Sequence, residues 1–182
     1  MLAYQIHTIA SAPEKSKPAL EQLQQTFGAV PNLVAVIANS PKLVNSLVGA
    51  FQQVHSSSFT EAEIQIVLLT DAVVNSSEYA VAFHTALAVQ QGVSPEETNA
   101  IRDGRTLKDR RFAALSTLAK TLIEKRGHLS ERQLGAFLDA GFTTEQIMEV
   151  IAIVAASTIT NYAGTIANPP LEDRFQQFAW RG

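Results

Sequence analysis

The sequence contains no cysteine. Without a thiol there is no disulfide, no thiolate nucleophile and no sulfenic-acid chemistry, so any reaction that runs through sulfur oxidation at cysteine is excluded. The two methionines, Met1 and Met148, are no substitute for a catalytic cycle. Charge is scarce too. Asp, Glu, Lys and Arg make up 17% of the 182 residues, the net charge is −3, and no basic block occurs. That balance argues against a nucleic-acid surface. A helical chain this poor in charge is expected to hide part of its surface by self-association, the alternative being a compact monomer with a large core. No segment alternates apolar and polar residues between turn dipeptides, so no strand is expected. Neither a phosphate-binding glycine loop nor a dinucleotide fingerprint is present, and no cofactor is implied. The start lacks a basic region and a continuous apolar run, so no signal peptide is expected. The run Ile147 to Ile159 is broken by Glu149, Ser157 and Thr158, so no membrane span is expected either. The expectation is one soluble, cytoplasmic, all-α domain over residues 1–182, with roughly eight helices.

What is present is a series of helix starts around one apolar centre. Thr60 to Glu63 has the form of a capping box. Ile64, Ile66, Val67, Leu68, Leu69, Ala72, Val73 and Val74 then make a helix apolar nearly all round, the pattern of a buried one. Asn75, Ser76 and Ser77 interrupt it, because short polar side chains favour turns and caps. A second helix carries Tyr79, Ala80, Phe83, His84, Ala86, Leu87 and Val89 up to Gly92. Before this pair, residues 1–10 read as an extended lead-in docking through Tyr4 and Ile6. Ser11 is placed to cap a helix with Leu20, Leu23 and Phe27 inward. Leu33 to Ile37 form a short helix, and Ser40 with Pro41 opens another with Leu43, Leu47, Ala50, Phe51 and Val54 inward. After the pair, Ser94 to Glu97, Ser130 to Gln133 and Thr143 to Gln146 have capping-box form, and Asp109 to Lys125 is a further helix. The last helix runs from about Thr144 to Thr165 and is stopped by Asn168 and two prolines. The pairs Phe59–Gln91 and Asp109–Thr165 hint at an internal pseudo-repeat. The tail carries Phe175, Phe178 and Trp180, enough aromatic area to dock.

The central stretch resembles the core motif of the carboxymuconolactone decarboxylase and alkylhydroperoxidase D-like (AhpD-like) family: a helix bearing a Glu, then Asn-x-Cys-x-Tyr-Cys-x-x-x-His. Asn75, Tyr79 and His84 fall on its Asn, Tyr and His. Its two cysteines fall on Ser77 and Ala80, and its glutamate on Gln65. Residues 28–33 and 39–43 also resemble the lead-in helices of peroxidase-related members. The resemblance covers most of the chain and implies an all-α helical bundle assembled as a trimer or hexamer. It implies a catalytic constellation at His84, Gln65, Ser77 and Ala80, with Asn75 and Tyr79 as ligand-binding positions. Of the four residues the family's peroxidases use, only the histidine is kept.

The residues then limit the chemistry. Ser77, Ala80 and His84 fall at i, i+3 and i+7, one helix face over two turns. The serine hydroxyl is a weak nucleophile unless a positioned base takes its proton. Ala80 cannot resolve an intermediate, and Gln65 can orient His84 but carries no proton at neutral pH. Ser77, His84 and Gln65 imitate a hydrolase triad on paper, but two helical turns are about 10 Å, too far for a direct Ser–His bond. His84 is either a core histidine satisfied by Gln65, Asn75 or a backbone carbonyl, or a proton-handling or ligand-binding imidazole. His7, His55 and His128 lack carboxylates at metal-ligand spacing, so no metal site is expected. Asn161 and Asn168 read as packing and capping residues. Three functions stay open. The first is a family member that has lost thiol peroxidase activity. The second is a non-redox decarboxylase-branch enzyme with His84 as acid or base, for which Lys42, Arg102 and Arg105 are the nearby cations. The third is a non-catalytic oligomeric small-molecule-binding protein.

Overall fold

Side-chain caps set where most of the helices begin. Thr60, Ser130 and Thr143 each accept a bond from the backbone three residues on, and Glu63, Gln133 and Gln146 return it. Ser40, Ser94 and Asp109 cap three more starts. The computed structural model describes residues 4–182; residues 1–3, part of the expected lead-in, lie outside them. Nine α-helices are present among the described residues: α1 (Lys17–Phe27), α2 (Asn32–Ile37), α3 (Pro41–His55), α4 (Glu61–Val74), α5 (Glu78–Gln90), α6 (Pro95–Arg102), α7 (Arg110–Glu124), α8 (Glu131–Asp139) and α9 (Thr144–Ala167). Short 3-10 turns lie at Glu14–Ser16 and Asp173–Phe178, and no strand occurs among the described residues. The all-α expectation holds.

Four expectations need correction. Leu43, placed inward by its spacing, is exposed on α3. Ser11 does not cap the first helix. Its hydroxyl accepts from the Thr8 backbone N–H, and the chain enters α1 through the 3-10 turn instead. Tyr4 and Ile6 are exposed, and the lead-in is held by the His7 N–H on the Ala35 carbonyl. Glu97 does not complete a box with Ser94. Its carboxylate accepts the backbone N–H groups of Lys108 and Asp109 and so anchors the loop into α7.

α4 is the central element. Every residue from Glu63 to Ala72 is buried, and α3, α5, α6, α7 and α9 all pack against it. Ile64, Ile66, Leu68 and Leu69 are fully enclosed, each contributing about 1.5–3 kcal/mol by leaving water. The polar residues of this buried helix are each met by a neighbour. Glu63 pairs with Arg111 of α7 at 2.8 Å, and that guanidinium lies 4.0 Å over the Phe142 ring. Thr70 donates to Ser116 of α7. Gln65 meets α5, and Asp71 meets α9. A second apolar cluster joins α1, α2 and α3 through Leu20, Leu33, Ile37, Val44 and Leu47.

α9 is long and apolar enough, by length and composition, to cross a membrane, against the sequence expectation. Here it packs against α2, α3, α4, α5 and α7 as a helix of the bundle. Asn168 ends it in the left-handed conformation (φ 44°), as its capping role predicts. Within the bundle, Asn161 of α9 donates to the Asp71 carboxylate at 3.0 Å, and the Asn75 amide donates to the same group at 2.7 Å. Burial nevertheless lifts the Asp71 carboxyl from 3.8 to about 6, outweighing these bonds. A folded-state value above the unfolded one means that the folded protein binds the proton more tightly. The cost of the buried charge is therefore present above pH 6 and relieved as pH falls toward 4. For two pH units this amounts to about 3 kcal/mol. Asp71→Asn, which removes the titrating group, is expected to flatten this dependence. Urea unfolding of both proteins at pH 5 and pH 8 checks it, the difference between them cancelling the other titrating groups.

Candidate functional site

The site begins at the turn between the two central helices. Asn75 caps the end of α4, Ser76 takes a left-handed conformation (φ 51°), and the Ser76 and Ser77 N–H groups bond back to the Val73 and Ala72 carbonyls. This is a Schellman stop built on serine rather than glycine. It reverses the chain so that α5 packs back on α4 and brings His84 beside Gln65, nineteen residues earlier. His84 Nδ1 lies 3.0 Å from Gln65 Oε1. Since the amide oxygen only accepts, Nδ1 carries the hydrogen and donates it. Burial first, and the nearby His55 second, push the His84 pKa down to about 3. The imidazole is neutral at physiological pH, with its lone pair on Nε2.

A cavity of about 440 Å³ opens beside it, walled by α1, α2, α3 and α5 with Thr160 of α9. Its lining is mainly apolar and includes Leu23, Phe27, Leu33, Leu47, Phe51 and Phe83. Gln52, His55 and Ser56 stand at an exposed rim. His55 there bonds Glu61 at 3.0 Å. Of the sequence-derived site residues, Tyr79, Ala80 and His84 line this cavity, and Gln65 backs the histidine. Asn75 does not reach it, because its amide is committed to the Asp71 carbonyl and carboxylate. Ser77 does not line the cavity either. It occupies the N-cap position of α5 (φ −88°, ψ 89°), and its buried hydroxyl lies beside Gly164 of α9 without a hydrogen-bond partner. The paper triad of Ser77, His84 and Gln65 is therefore not assembled.

Two features lie beyond what the sequence pattern reveals. The Tyr79 hydroxyl donates to Glu172 at 2.8 Å and accepts from the Leu33 N–H at 3.5 Å. Burial and the adjacent carboxylate both push this phenol up, so it stays protonated. Glu172 also accepts from the Asn32 N–H at 2.7 Å, and Phe175 packs edge-on against Phe83 at 5.1 Å. The tail therefore docks on α5, as its aromatic content predicts. The cavity walls from α1 to α3 carry no local signal beyond ordinary amphipathic spacing. Lys42, Arg102 and Arg105 do not line the cavity. Arg102 bonds the Ala179 carbonyl and Arg105 pairs with Asp103. No cluster of three or more His, Asp or Glu that could hold a metal occurs among the described residues.

No family model matches the sequence, and no curated protein does. Solved structures do match the fold. An uncharacterised peroxidase-related protein from Ralstonia eutropha JMP134, described as an alkylhydroperoxidase AhpD core, superposes with a TM-score of 0.81 at 18% identity, covering 94% of this chain and 93% of that one. A peroxidase-related protein from Silicibacter sp. TM1040 gives 0.78 at 16% identity over 97% and 94% of the two chains. The debrominase Bmp8, as a cysteine-to-alanine variant in complex with 2,3,4-tribromopyrrole, gives 0.77 at 15% over 98% and 96%. The chain has the fold of the AhpD-core, peroxidase-related proteins, and it carries that fold without a single cysteine.

Proposed function

We propose that this is an AhpD-like family protein that has lost thiol peroxidase chemistry and uses the cavity beside His84 to bind a small, uncharged, largely apolar molecule. The observation that carries the reading is the wall itself: a preformed apolar cavity with one buried imidazole and neither Lys nor Arg among its lining residues. Ligand sites of this kind are largely apolar with a few placed polar groups. The binding of 2,3,4-tribromopyrrole by a neighbour of the same fold supports it. The decarboxylase-branch alternative is less well served. A carboxylated substrate would meet no cation in this wall, and an imidazole with a pKa of about 3 is a weak base at neutral pH. A neutral aromatic probe is expected to bind the protein and to be displaced by filling the cavity. Ala80→Leu, which enlarges a buried side chain of the wall, should weaken binding more than tenfold in calorimetric titration.

The redox claim has its own test. Thiol peroxidases use a thiolate to attack the peroxide oxygen, giving a sulfenic acid and an alcohol; a second thiol then forms a disulfide and releases water. Ser77 and Ala80 provide neither sulfur, so no thiol-dependent reduction of an alkyl hydroperoxide above buffer background is expected. Installing Ser77→Cys with Ala80→Cys at the start of α5 should create a reducible disulfide, detectable by thiol titration. Adding Gln65→Glu should then raise peroxide turnover.

Self-association, as a trimer or hexamer, belongs to the same reading. Met148, Ile151, Tyr162 and Ile166 are exposed on one face of α9 at 61%, 42%, 59% and 69%, a stripe about 27 Å long by helical rise. Apolar surface of that extent fits a second copy of this low-charge chain. Light scattering at micromolar concentration should give a multiple of the 19.7 kDa chain mass, and Tyr162→Glu with Ile166→Glu should reduce it. A monomeric wild-type protein would sink this part.

A further inference from the structure

The buried polar atoms of the cavity wall differ in what they can still offer a ligand. Among the lining residues only Tyr79, His84 and Thr160 are both polar and buried. The Tyr79 hydroxyl has spent its hydrogen on Glu172. Thr160 Oγ1 has spent its own on the Ser157 carbonyl at 2.8 Å. His84 has spent its only N–H on Gln65, and Nε2 makes no hydrogen bond among the described residues. What remains on these three side chains is lone pairs: a pyridine-type nitrogen at Nε2 and the oxygen of Thr160. A polar group that still has hydrogens to give, the Gln52 amide, stands at the exposed rim, open to solvent.

We infer that the interior of the cavity is an acceptor-only site, selective for neutral ring compounds that carry one N–H or O–H donor, such as pyrroles, indoles and phenols, with His84 Nε2 receiving that hydrogen. This rests on the reading of the cavity as a small-molecule site and adds the polarity of its ligand. A ligand that presents only acceptors, such as a ketone, an ester or a carboxylate, meets lone pairs with lone pairs and loses its hydration for nothing in return. A donor-bearing ring keeps its hydrogen bond and places its apolar body among Phe27, Phe51 and Phe83. Gln65 acts here as a positioning residue. Its carbonyl fixes the histidine tautomer and thereby turns Nε2 into an acceptor. The usual family residue at this position is a carboxylate, which would favour the imidazolium and put a hydrogen on Nε2. The amide therefore sets the sign of the hydrogen bond that the cavity offers. Because burial keeps the ring neutral down to about pH 3, the preference should hold across the physiological range.

The test compares indole with benzothiophene, a ring pair of matched shape in which the second lacks the donor. Calorimetric titration of the wild-type protein should show indole binding about tenfold tighter, the worth of one net hydrogen bond, at both pH 5.5 and pH 8. Equal affinities, or tighter benzothiophene, overturn the donor selectivity and leave the small-molecule reading standing. If neither ring binds, that reading falls and this inference falls with it. Long-range proton–nitrogen NMR on histidine-labelled protein gives an independent readout that needs no variant. His84 should show a protonated Nδ1 and an unprotonated Nε2, and only Nε2 should shift when indole is added. A protonated Nε2 in the unliganded protein overturns the assignment. Gln65→Glu should reduce the indole preference to less than twofold, and a variant that keeps the full preference counts against the role given to Gln65.

Discussion

A helix buried on every side leaves none of its polar groups to water, and α4 is such a helix. Each polar side chain on it must find its partner in another element, since an unmet buried group costs about 1–3 kcal/mol. Glu63 and Thr70 find theirs on α7, Gln65 on α5 and Asp71 on α9. These four links go to three different helices and fix how each is placed about the centre, whereas apolar packing alone would tolerate sliding. The histidine of the cavity wall is thus oriented by one of the bonds that also hold the fold together. This also explains why the bundle accepts a buried carboxylate at Asp71 despite its electrostatic cost: the group joins the end of α4 to the C-terminal third of α9.

Much of this was legible in the sequence, because caps and continuous apolar runs are local signals. Thr60, Ser130 and Thr143 announce their helices with the residue that answers each of them three positions later. The buried character of α4 follows from its having no polar face, and the match of Asn75, Tyr79 and His84 to a known motif anticipated the fold. Contacts closed over long chain distances were not legible. Glu172 reaches Tyr79 across 93 residues, and no periodicity encodes that. Spacing puts Ser77, Ala80 and His84 within two turns of one another, but it does not say which of them a cavity reaches: Ala80 and His84 line it, while Ser77, set at the N-cap by the αL turn at Ser76, has its hydroxyl beside Gly164. Local propensity had marked Asn75 to Ser77 as a turn; its geometry decided which side chains meet.

Set against the motif that the central stretch resembles, the site differs in two ways. A hydroxyl and a methyl stand at the two cysteine positions and supply no sulfur to oxidise, while an amide at the glutamate position keeps an oxygen against His84 and carries no proton to exchange. The first difference removes a chemistry from this chain. The second leaves the imidazole aligned and decides which hydrogen bonds it can make. The bond between Gln65 and His84 joins two buried side chains, so it contributes to the packing of the interior as well.

The attachment of the C-terminal segment has a consequence for how this protein can change over time. Glu172 holds the Leu33–Tyr79 side of the cavity by accepting from both Tyr79 and the start of α2, while Phe175 buttresses Phe83. Two walls of one chamber are thus tied together by a segment that is itself no part of the chamber. Residues in such a strap can vary without touching a ligand and still alter how far apart those walls stand. The width of the cavity is in this sense adjustable from the far end of the chain, by sequence drift in a region that would ordinarily be dismissed as a trailing end.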